Sequence, residues 1–221
     1  MSLTFPLAFP ITTVPLAAGF VFDYDRLQNI TRSRGGAVQS EEKGRTLWSI
    51  SAKTAILTVD QFDEINAFFG ALRGALNTFT FYDPLKARPK TYPGTGWAGF
   101  TRASGGAFNG SGTLVSASGY MLTFNTMPAG YVVRKGDMFS WTWGATRALH
   151  RSVEDAVANS AGQVTVQVEP DILPGSLVGT PVWVENAAAV FRLQQPFPQP
   201  ARSNFGSDGI EFKALQVLAN G

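Results

Sequence analysis

The stretch Thr58-Val59-Asp60-Gln61-Phe62-Asp63-Glu64-Ile65-Asn66-Ala67-Phe68-Phe69-Gly70-Ala71-Leu72-Arg73-Gly74, with Thr78-Phe79-Thr80-Phe81-Tyr82-Asp83-Pro84 behind it, decides the fold class. Thr58 stands where an N-cap belongs and Gln61 follows three residues on, so each side chain can satisfy a backbone N–H of the other. Asp60 places a negative charge in the first turn, where the helix dipole favours it. Phe62, Ile65, Phe69, Leu72 and Leu76 recur at spacings of 3, 4, 3 and 4. That period predicts a helix with one apolar face, and Gly74 offers its stop. The run 78–82 predicts a strand, which Asp83-Pro84 ends.

Upstream, Trp48, Ile50 and Ala52 alternate with Ser49 and Ser51, the pattern of a half-buried strand. Residues 16–31 predict strands around Phe20, Phe22 and Tyr24. Residues 32–44 are polar and turn-rich, which predicts a mobile loop. The nearest cationic cluster is Arg32, Arg34, Lys43 and Arg45, with Glu41 and Glu42 in its middle. The mixed signs suit a solvated or subunit-facing loop better than a phosphate-binding patch, which needs clustered cations. The apolar start from Phe5 to Phe22 carries Pro6, Pro10 and Pro15 and follows no basic segment. It reads as extended chain rather than a membrane span or leader.

Downstream the texture changes. Gly and Pro become dense at 88–99, and every later segment reads as a short strand: 113–116, 120–124, 138–143, 146–153, 164–169 and 182–184, then 188–194 and 209–218. Turn signals at Ser118-Gly119, Lys135-Gly136-Asp137 and Ala161-Gly162 separate them. The fold class expected is mainly β with one helix. A split barrel or sandwich is built from 1–91 and 188–221, and a small all-β domain, 92–187, is inserted into one of its loops.

Charged residues are 15% of the chain, against ~25% in an average domain, and there are 17 Phe and 23 Gly. A surface poor in charge suits burial against partner subunits, and equally a turn-rich β domain with no partner. The net charge of +2 is too balanced for a nucleic-acid footprint. The absence of cysteine excludes disulfides, thiolate metal sites and a Cys nucleophile.

The catalytic inventory is thin. The one histidine, His150, shares a predicted strand with Ser152, and Asp155 follows. A working triad draws its members from separated elements that converge, so an ordinary surface or interface histidine is the better reading. Gly94-Thr95-Gly96-Trp97-Ala98-Gly99 fits the dinucleotide fingerprint but lacks the strand before it and the helix after it. Asp23 with Asp25, Asp60 with Asp63 and Glu64, and Glu154 with Asp155 are the carboxylate sets a glycosidase would need, yet each suits a turn, a first helical turn or a solvated loop. Neither a metal nor a cofactor is expected, and no catalytic residue is assigned. Trp97, Trp141 and Trp143 form the candidate glycan platform, giving a carbohydrate-binding module as the alternative function. The competing reading puts Trp141 and Trp143 in the core of the small β domain.

The helix and strand of 58–84 resemble the N-terminal domain of distal tail proteins of long-tailed bacteriophages. Lys135-Gly136-Asp137-Met138-Phe139, the run from Ala161 to Pro170, Gly179-Thr180-Pro181-Val182, Phe191-Arg192-Leu193 and the closing run from Ile210 to Leu218 resemble later parts of such proteins in the same order. The resemblance implies a tail-tube-like split barrel with one helix and an inserted β domain. It also implies a virion protein made in the host cytoplasm, assembled as a hexameric ring between the tail tube protein and the hub or baseplate. DNA would pass through the lumen without being read. The 32–45 loop is then the candidate ring contact, through Arg32, Arg34, Glu41, Glu42 and Lys43.

Overall fold

A computed structural model of the chain describes residues 3–199, 201 and 208–218. The expected C-terminal part, 188–221, thus includes residues outside those described. Along the chain come β1 (Leu7–Ala8), β2 (Val21–Asp25), β3 (Gln28–Arg32), β4 (Val38–Glu42), β5 (Leu47–Lys53), the helix α1 (Val59–Leu72) and β6 (Phe79–Tyr82). Then follow β7 (Ser111–Asn125), β8 (Val132–Val133), β9 (Met138–Trp143), β10 (Thr146–Ser152) and β11 (Ala156–Val157). The last strands are β12 (Val164–Ile172), β13 (Pro181–Trp183), β14 (Ala188–Leu193) and β15 (Glu211–Gln216). Among the described residues the fold is mainly β with one α-helix.

Two compact units divide the chain: Pro10–Asn77 with Arg192–Gln216, and Met1–Phe9 with Thr78–Phe191 and Val217–Gly221. These borders differ from the expected ones at 91/92 and 187/188, since β1, β6 and most of β14 group with the later strands.

In the first unit β5 lies between β2 and β15, both antiparallel to it. The alternation read from the sequence is the burial observed: Trp48, Ile50 and Ala52 face the core. The capping box forms, with Thr58 N–H donating to Gln61 Oε1 at 3.0 Å and Gln61 N–H to Thr58 Oγ1 at 3.4 Å. Phe62, Ile65, Phe68, Phe69 and Leu72 are buried, and the Phe69 ring lies 5.6 Å from Phe212 of β15. Leu76 departs from expectation: the helix stops at Leu72 and Leu76 is exposed. Arg73 takes the left-handed conformation (φ 50°). Asn77 then donates from N to the Leu72 carbonyl and from Nδ2 to that of Ala71, so the last turn is capped before Leu76 can join the apolar face.

A second correction concerns 32–44. The predicted loop is in part β-structure: Arg32 and Val38–Glu42 are strand. β2 runs on into β3 and β4 into β5, making one long antiparallel ribbon. The Lys43 N–H bonds the Leu27 carbonyl at 2.7 Å between the two ladders. Only 33–37 turn, closed by Ser33 N–H to the Ala37 carbonyl at 2.9 Å, with Gly36 at φ +85°.

In the second unit β1 pairs parallel with β6, and β6 antiparallel with β14. β10, β12, β7, β13 and β9 close into a five-stranded barrel. Val164, Val166 and Val168 point inward as their alternation predicts, joining Leu122, Phe124, Phe139, Trp141 and Val182 in the core.

Candidate assembly surface

The ribbon changes character along its length. Near its root Trp48 is fully buried, with the Phe22 and Tyr24 rings 5.1 and 4.5 Å from its own. Beyond Leu27, every residue of β3 and β4 is exposed. Cross-strand partners share a face, so Gln28, Ile30 and Arg32 lie beside Glu42, Ser40 and Val38. Ile30 and Val38 are 69% and 65% exposed on that face. A two-stranded hairpin alone in water is marginal, and its outer edges offer unpaired backbone groups to another chain.

The structure places all five candidate contact residues on this arm or at its root. Arg32 ends β3, Arg34 lies in the turn, Glu41 and Glu42 end β4, and Lys43 follows. It does not bring them into one cluster. Arg32 and Arg34 make a cationic tip, whereas Glu41 and Glu42 sit at the far end, opposite Asn29 and Gln28. Glu42 Oε1 accepts from Thr46 Oγ1 at 3.1 Å, tying the arm to its root. Ile30 and Val38 were missed by sequence reasoning; the signal was two isolated β-branched residues in polar surroundings.

The three tryptophans do not present a shared face. Trp141 is fully buried, its Nε1 donating to Ser176 Oγ at 3.1 Å. Trp97 is buried too, its Nε1 donating to Glu185 Oε2 at 2.5 Å under the Arg88 guanidinium, 4.1 Å from the ring centre. Trp143 is half-buried, and its Nε1 donates to the Pro174 carbonyl at 3.1 Å. The expected platform is corrected to two core indoles and one rim indole. Their polar ends are satisfied internally, as buried Trp requires.

His150 is a core residue rather than a surface one. It stacks 4.8 Å from Trp141, and its Nδ1 lies 2.8 Å from the Pro170 carbonyl. Burial pushes its pKa down to about 4. Ser152 Oγ donates to the Glu154 carbonyl, and Asp155 is held by Lys135 N–H and Arg134 Nη1, so these groups do not converge on the imidazole. A carboxylate the sequence reading passed over, Asp137, is buried and clamped by the backbone N–H groups of Lys90 and Arg134 at 2.9 and 2.8 Å. Burial raises its pKa.

No protein-family model matches the chain, and no curated protein matches it significantly. Among the described residues no group of three or more His, Asp or Glu side chains is placed to hold a metal ion, and no helix is long and apolar enough to cross a membrane.

Proposed function

We propose that the chain is a structural subunit of a phage tail, forming a homo-oligomeric ring, a hexamer by the resemblance, at the distal end of the tail tube. The ring joins the tube protein to the hub or baseplate in the virion, and DNA crosses its lumen without specific binding. The observation that carries this reading is the arm β3–β4, a regular hairpin exposed on both faces that continues the half-buried β2–β5 ladder. A hairpin of that kind gains its stability by packing on another chain. The mainly-β fold with one capped helix, the balanced net charge and the ordered resemblance of the later segments support the same reading.

The test is assembly. The purified chain, alone and with a phage tail tube protein, is followed by light scattering and electron microscopy. The comparison is a variant whose residues 29–41 are replaced by a short Gly-Ser turn. The expected result is a ring for the full chain and a folded, non-assembling species for the variant. A full chain that stays monomeric with the tube protein present, or a variant that assembles equally well, overturns the reading.

A further inference from the structure

The loop before β7 holds a charge without a counter-charge. Arg102 is immobilised by neutral acceptors: Nη1 donates to the Ser111 and Thr126 carbonyls at 2.9 and 2.6 Å, and Nη2 to Asn109 Oδ1 at 2.7 Å. The guanidinium also lies 5.4 Å from the Phe108 ring centre. No carboxylate among the described residues pairs with it.

Asn109 is followed by glycine, and the fold requires that glycine. Gly110 has φ +79°, and a Cβ there would run into the indole Nε1 of Trp97 and come within 3.1 Å of Glu185 Oε2. Asn109 Oδ1 accepts from three donors at once: Arg102 Nη2, Ser111 Oγ at 2.7 Å and Ser111 N–H at 3.2 Å. That number of donors fixes the oxygen's identity against the amide nitrogen. It also builds, around a side-chain carbonyl, the arrangement that stabilises a tetrahedral oxyanion.

The geometry points to Asn109-Gly110 as a self-modification site, at which the Asn109 carboxamide is converted to a carboxylate that pairs with Arg102. The Gly110 backbone nitrogen attacks Asn109 Cγ, and the ring closes as the Cγ–Nδ2 bond breaks. The Gly110 amide proton leaves with Nδ2 as ammonia. Water then opens the succinimide at either carbonyl, giving aspartate or isoaspartate. No oxidant or further co-reactant is needed. Glycine at the attacking position has no side chain to obstruct ring closure. The three donors carry the negative charge that develops on Oδ1. The product replaces a neutral acceptor with an anion, and hydrogen bonds with both partners charged are the stronger kind. Conversion therefore supplies the counter-charge that Arg102 lacks and fastens the loop to β7.

The experiment follows residue 109 in the purified full chain, incubated folded in mildly alkaline buffer and, in parallel, unfolded in urea. Peptide mapping with fragmentation reads the amide-to-acid mass gain at 109 and separates it from Asn125 in the same tryptic peptide. Conversion in the folded chain, slowed several-fold by Arg102→Gln, is the expected result. A folded chain that keeps the amide while the unfolded chain loses it overturns the assignment. So does an Arg102→Gln variant, shown folded by circular dichroism, that converts as fast. Asn109→Asp tests the product directly. It is expected to raise the Tm at low salt, with the gain shrinking as salt is added, and a lower Tm than that of the parent chain counts against the proposal.

Discussion

Tyr24 faces Trp48 across the β2–β5 ladder, its ring 4.5 Å from an indole that is fully buried, and this is the last step of that ladder that holds a buried side chain. One rung further, Asp25 pairs with Leu47, and from Gln28 onward nothing on β3 or β4 is covered. The two halves of one ribbon therefore respond differently to mutation. Trp48→Ala is expected to cost about 3–5 kcal/mol of folding stability, as other large-to-small changes in tight cores do. Ile30→Asp with Val38→Asp is expected to change stability by roughly 0.5 kcal/mol or less, since neither side chain is buried, while abolishing assembly. Denaturant melts of the monomer and light scattering of the assembly read the two effects separately. An Ile30/Val38 double variant that assembles normally rules out the apolar face as the contact.

The arm's charges are separated along its length, with Arg32 and Arg34 at the tip and Glu41 and Glu42 at the root. Exposed charges act mainly on the rate at which surfaces find each other. Arg32→Glu with Arg34→Glu is expected to slow assembly on the order of tenfold at low ionic strength. The difference should vanish near 1 M salt, where the screening length is about 3 Å. Stopped-flow scattering across a salt series measures it. A defect that persists undiminished at high salt would assign the arginines a packing role instead.

How much of this was legible in the sequence depends on how local each signal is. Helix α1 was readable because its cap, period and dipole complement all lie within neighbouring turns, and Thr58 and Gln61 sit where their identities predict. Leu76 fitted the same period, but the left-handed Arg73 intervened, and spacing alone carries no record of that turn. The arm was invisible as a strand because period-2 alternation arises only where one face is buried. Val38 to Glu42 has neither face buried, so a regular strand read as a loop. Its charged residues were still found, since charge needs no fold to be read. The barrel's strands were mostly visible from alternation, whereas its closure was not. Pairing Trp183 with Ser111 joins residues far apart in the chain, and nothing local announces it.

Gly162 lies beneath a tight crossing of two loops. Its carbonyl accepts from Met127 N–H at 3.1 Å, and the Met127 carbonyl in turn accepts from Ala103 N–H at 3.0 Å. A Cβ at Gly162 would collide with that Met127 carbonyl, and φ is +73°. Gly162→Ala therefore combines left-handed strain with a backbone clash and is expected to cost about 3 kcal/mol or more. Gly130 has nearly the same φ, +72°, but open space where its Cβ would stand. Gly130→Ala should show the strain alone, about 1–2 kcal/mol. Equal losses in the two thermal melts would mean that the crossing yields without cost.

His150 makes the barrel sensitive to acid in a defined sense. Its folded pKa of about 4 lies below the ordinary value of 6.5, because burial disfavours the imidazolium. The unfolded chain therefore binds the proton more readily than the folded one between those values. The neutral ring's contribution is fully present above the unfolded pKa and is lost as pH falls toward the folded one, amounting to about 3 kcal/mol in all. Asp83 and Asp137 work in the opposite sense: burial raises both, so their protonation favours the folded state as pH drops. The total slope is consequently a difference, and the histidine's share is isolated by subtraction. His150→Phe keeps a ring against Trp141 but cannot titrate, at the cost of the bond to Pro170. Its stability, measured by urea melts between the ordinary histidine value and the lower one, is expected to fall less steeply with acid than that of the parent chain. Parallel slopes would mean that His150 ionises without penalty in the folded barrel, and that its stack on Trp141 opens to water before the barrel unfolds.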